Sequence, residues 1–154
     1  MGDSIDLQAD ASEVGRSRRF CVDLLRGWGA AGIVVDTVEL LVSESVTNAV
    51  LHARTACHLT IVRVDGGSDG PDRVRVEVND GDPAPPVTKH YGLEAGSGRG
   101  LHLIGVLSDA NGCIVTPEGK QVWFEVRWES APTSEADPAD ARPDPRARDH
   151  DRSS

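Results

Sequence analysis

Two polar side chains interrupt an otherwise apolar helical pattern in "ELLVSESVTNAVLHA", Glu39 to Ala53. Leu41, Val42, Val46, Ala49, Val50 and Ala53 recur at helical spacing, while Glu44 and Asn48 stand four apart on one face. Both side chains can point into one pocket while the apolar positions pack against a sheet. The same pair would also suit the wet face of an amphipathic helix. A second stretch, "VEVNDGDPAPP", ends a strand at Asp80-Gly81. A carboxylate there can accept from the amino group of a flat ligand, although Asp-Gly is also ordinary turn chemistry. A third, "GSGRGL", sets Gly96, Gly98 and Gly100 around Arg99 immediately before a helical pattern that opens at Leu101. Glycines permit close backbone approach and a helix start presents free N–H groups, which suits a phosphate and equally describes a plain flexible loop. It is neither a P-loop nor a dinucleotide fingerprint.

Elements must hold these stretches. Asp10 with Glu13 three residues on predicts a helix start, and Val14, Cys21, Leu24, Leu25 and Trp28 keep helical spacing until "GWGAAG". The second helix spans about Val35 to Ala53. "HLTIVRVD" and "RVRVEVND" alternate across "GGSDGP", which predicts two strands joined by a glycine-rich turn. After a loop rich in Pro and Gly, "LHLIGVLSD" predicts a short helix, and "GCIVTP" and "QVWFEVRWE" a second hairpin across "EGK". Helices, strands, helix, strands is the order of an α+β fold, a two-layer α/β sandwich. His52 reads as a polar tip at a helix end, and Trp123, Phe124 and Trp128 as packing residues.

Composition bounds the function. The chain has 154 residues, 38% of them apolar, which predicts one domain with one core. A formal net charge of -9 argues against binding a polyanion, so nucleic acid is not expected as a direct partner. No stretch approaches the roughly 20 apolar residues of a membrane span, and the start lacks a signal peptide's basic and apolar regions, so no membrane association and a cytoplasmic location are expected. Cys21, Cys57 and Cys113 lie far apart in apolar segments, which predicts three buried reduced thiols. From Ser130 onward the sequence has no Val, Ile, Leu, Phe, Trp or Tyr. Residues 1–129 are therefore expected to fold and 130–154 to form a disordered tail rich in Pro, Asp and Arg.

Taken in order, "SESVTNAVLHA", "VNDGDP", "GSGRGLHLI" and "GKQVWFEV" resemble the ATP-binding domain shared by gyrase, the Hsp90 chaperone, histidine kinases and the MutL repair protein, the GHKL or Bergerat fold. The closer resemblance is to the single-domain anti-sigma-factor serine/threonine kinases. It implies a mixed, mostly antiparallel sheet with helices on one face, ATP and Mg²⁺ as cofactors, and a role for each residue. Asn48 would coordinate Mg²⁺, Glu44 would be the catalytic proton acceptor, and Asp80 beside Gly81 would receive the adenine amino group. Gly96, Gly98, Arg99, Gly100 and Leu101 would cover the phosphates. The partners implied are an anti-anti-sigma antagonist and a sigma factor, and the resemblance allows a homodimer. A nucleotide-gated holder that transfers no phosphate is the alternative. This sequence departs from the family in carrying Asp82 where a second glycine is usual, and Lys120-Gln121 where relatives often carry a hydroxyl residue.

Overall fold

The computed structural model describes residues 1–84 and 103–133. The chain opens with strand β1 (Gly2–Leu7), followed by helices α1 (Ser12–Gly27) and α2 (Gly32–Thr47). A π-helical turn, Asn48–His52, continues α2 without a break. Strands β2 (Cys57–Val64) and β3 (Arg73–Asp80) come next, then a helical segment at 103–107, then β4 (Ala110–Thr116) and β5 (Gly119–Arg127). The five strands form one sheet in the order β1-β2-β3-β5-β4, and every pairing in it is antiparallel.

Local chemistry sets the boundaries. Asp10 Oδ1 accepts from the Ser12 N–H at 3.0 Å and Glu13 Oε2 accepts from Gln8 N–H at 3.0 Å, so acidic side chains satisfy free donors where α1 begins. At the other end Gly29 adopts φ +82°, a left-handed conformation that stops the helix and turns the chain into α2. Alternation decides which face of the sheet is covered. Leu59, Val78 and Val122 lie in one register row and Ile61, Val76 and Phe124 in the next, all facing the helices. Against them pack Cys21 and Leu25 from α1 and Val38, Leu41, Val42 and Val46 from α2, all fully buried. The opposite face is polar. There Arg75 lies over the Trp123 ring at 4.3 Å and is paired with Glu77 and Glu125.

The α+β two-layer fold is the one expected, with two corrections. Strand β1 was not foreseen, because "GDSIDL" offers only Ile5 and Leu7 as alternating apolar positions; pairing along the β2 edge makes it a strand. Cys113 is exposed rather than buried, since β4 is an edge strand whose residues are largely uncovered, while Cys21 and Cys57 are buried as expected. Ala131 N–H donates to Gly29 O at 2.8 Å, and Trp128 Nε1 donates to Ser130 Oγ at 3.1 Å. Among the described residues no helix is long and apolar enough to cross a membrane.

Candidate functional site

Glu44 and Asn48 lie at the end of α2, both half-buried, with the Asn48 N–H donating to Glu44 O. The helix widens at that point. Ala53 N–H reaches back five residues to Asn48 O at 2.8 Å, and Arg54 follows with φ +54°. Single π turns inside α-helices occur frequently at functional sites, and a left-handed non-glycine residue marks a backbone held by its surroundings. Asn48 Nδ2 is buried with no hydrogen-bond partner, the only such side-chain atom among the described residues. A buried amide with nothing to bind costs about 1–3 kcal/mol, so the site is polar where the protein itself supplies no partner.

Thr55 ties this turn to the sheet. Its N–H donates to Ala49 O at 3.1 Å and its hydroxyl accepts from the Gly81 N–H at 3.3 Å. The Asp80-Gly81 end of β3 is thereby fastened to the end of the second helix, and Asp80 stands opposite Cys57 in β2 and Lys120 in β5. The strand alternation that points Val74, Val76 and Val78 toward the helices also carries Asp80 inward. Nearby, burial pushes the Cys57 thiol up to about 12, with smaller contributions from the negative charges of Asp80 and Glu13.

Asp80 is not a free carboxylate. Lys120 Nζ lies 3.2 Å from its Oδ1 and 3.1 Å from its Oδ2, and the two side chains are only 6% and 3% exposed. Asp82 N–H adds a bond to Oδ1 at 2.8 Å, while Asp82 O accepts from Lys120 Nζ at 3.2 Å. A carboxylate has about four lone-pair sites, so one on Oδ2 is left for an incoming N–H. Gly119 completes the corner: a Cβ on it would stand 2.0 Å from Asp80 O, so only glycine lets β5 begin there. From sequence Lys120 falls in the "EGK" turn and is noted only as a departure from the family, without its pairing to Asp80. The signal was present, because Lys120 shares parity with Val122, Phe124 and Val126 on the buried face.

The residues fit a magnesium-bound nucleotide in part. Among the described residues no cluster of three His, Cys, Asp or Glu side chains could hold a metal ion, so a cation here would have Asn48 as its protein ligand and take the rest from phosphate and water. The orphaned Asn48 amide suits that task, since rotating the terminal amide presents oxygen or nitrogen to the same place. Of the expected site residues, Glu44 and Asn48 share one turn at the end of α2, and Thr55 links the turn that follows to the Asp80-Gly81 end of β3. Gly96, Gly98, Arg99, Gly100 and Leu101 lie outside the described residues.

The histidine kinase-like ATPase domain matches residues 7–126 of the chain. No protein of curated function matches it. The fold is similar to that in the crystal structure of the RsbU and RsbW domains of Rv1364c from Mycobacterium tuberculosis, at 18% identity and a TM-score of 0.63. The match covers 85% of this chain and 34% of that one.

Proposed function

The chain belongs to the histidine kinase-like ATPase family, and on that premise we propose that it binds Mg²⁺-ATP and transfers the γ-phosphoryl group to a serine or threonine of an anti-anti-sigma antagonist protein. Glu44 accepts the proton of the attacking hydroxyl, which requires hydrogen-bond reach to that oxygen. Asn48 would hold the cation through its amide oxygen, and Asp80 would take a base N–H on the lone pair that Lys120 and Asp82 leave open. Gly96, Gly98, Arg99, Gly100 and Leu101 are given the phosphate contacts on sequence pattern alone. Mg²⁺ held at Asn48 would offset phosphate charge in a protein whose formal net charge is -9. The observation that carries the reading is the buried Asn48 amide without a protein partner, one turn from Glu44. A cytoplasmic location and a sigma factor as second partner belong to the same proposal.

The alternative is a nucleotide-gated holder that grips its partner and transfers nothing, which the fold alone does not separate from a kinase. Radiolabelled ATP, Mg²⁺ and candidate antagonists separate the two. Transfer of label to an antagonist is expected, with Glu44→Gln slowing it by about 10² to 10⁴-fold while nucleotide and partner still bind. Parental transfer by Glu44→Gln removes Glu44 as the base. A parent that grips its partner in a nucleotide-dependent way and labels none is a holder.

A further inference from the structure

We infer that Lys120 sets the base preference of the site, widening it from 6-amino purines to 6-oxo purines. The inference rests on the nucleotide-binding reading above. A bare carboxylate only accepts hydrogen bonds, so Asp80 alone would welcome an amino group and repel a 6-oxo oxygen, which is also an acceptor. Here the carboxylate is never bare. Lys120 Nζ sits within 3.2 Å of both its oxygens and of Asp82 O, so a donor stands at the same corner as the acceptor.

The two groups together can satisfy either purine edge. A 6-amino group donates to the open lone pair of Oδ2 while Lys120 keeps its present bonds. With a 6-oxo purine the ring N1–H donates to Oδ2, and one ammonium N–H turns from the carboxylate to the 6-oxo oxygen. Lysine's three donors allow that exchange because two remain on Asp80 and Asp82. The side chain is 6% exposed, so water does not compete strongly for the donor. Lys120 also neutralises Asp80, which removes the repulsion that would otherwise exclude the oxo group.

ATP and inosine triphosphate differ at the 6-position and the adjoining ring proton, so they isolate the effect. Calorimetric titration of the full chain in Mg²⁺ should give affinities for the two within about tenfold, where a lone acceptor would discriminate by considerably more. Lys120→Gln, which keeps a donor, should hold that narrow ratio, and Lys120→Met, which has none, should widen it at least tenfold in favour of ATP. A parent preference for ATP above tenfold overturns the inference, as does an unchanged ratio in a folded Lys120→Met. If Lys120→Met does not fold, the parent and Lys120→Gln ratios decide. Failure of the parent to bind either nucleotide would overturn the nucleotide reading itself, and this inference with it. Binding of ATP with strict rejection of inosine triphosphate overturns only the role of Lys120.

Discussion

Removing the ammonium of Lys120 should cost far more stability than losing an ordinary surface lysine. The side chains of Lys120 and Asp80 are 6% and 3% exposed and lie 3.1 Å apart, so Lys120→Met leaves a buried carboxylate whose remaining partner is the Asp82 N–H. Breaking one side of a buried ion pair costs about 3–5 kcal/mol, because the surviving charge stays desolvated. At about 4 °C per kcal/mol for a domain of this size, the melting temperature should fall by about 12–20 °C. Replacing both members removes the orphan charge, so Asp80→Leu with Lys120→Met should recover most of the loss, and the coupling between the sites should exceed about 2 kcal/mol. Thermal and denaturant unfolding of the parent, the two single variants and the double variant measure this. A fall of less than about 4 °C for Lys120→Met, or additive losses in the double variant, would refute the buried-pair reasoning.

Other expectations are simpler to check. At neutral pH a thiol reagent should label Cys113 quickly and leave Cys21 and Cys57 unlabelled until the chain unfolds, since only Cys113 is exposed. Burial also pushes the Cys21 and Cys57 thiols from 9.0 up to about 12. The folded state therefore holds more protons between those values, and stability that is complete below pH 9 should decline as pH rises toward 12. Cys57→Val should flatten that decline, and an unchanged slope in the variant would assign it to other groups. A chain ending at residue 133 keeps the Ala131–Gly29 bond and loses only sequence without large apolar side chains, so its melting temperature should stay within about 2 °C of the parent's.

How far the sequence could be read depended on whether a residue's role was local. Strand β3 was legible as "RVRVEVND" because three apolar-polar alternations in a row leave little choice of register. The start of α1 was legible from Asp10 and Glu13, whose side chains meet backbone donors a few residues away. Strand β1 was not, since an edge strand with two inward apolar residues owes its conformation to its neighbour β2. The π turn at Asn48 has no signature in "TNAVLHA" and shows only in the backbone, where Ala53 N–H reaches Asn48 O. Lys120 depended on a partner forty residues away in sequence, so its type suggested a turn while its parity placed it inside. Glu44, Asn48 and Asp80 were put forward from an ordered set of motifs, and the pairing that constrains Asp80 needed the register of β3 with β5.

The central claim is that Asn48 and Asp80 form one end of a magnesium-dependent nucleotide site, and calorimetry of ATP binding tests it most directly. ATP should bind the parent appreciably tighter in Mg²⁺ than in chelator, because the phosphates add negative charge to a protein of formal net charge -9. Asn48→Ala should abolish most of that metal-dependent gain while leaving the melting temperature near the parent's, since the Asn48 Nδ2 has no protein partner to lose. Equal affinity in Mg²⁺ and in chelator for the parent, or a full metal-dependent gain in Asn48→Ala, would contradict the account.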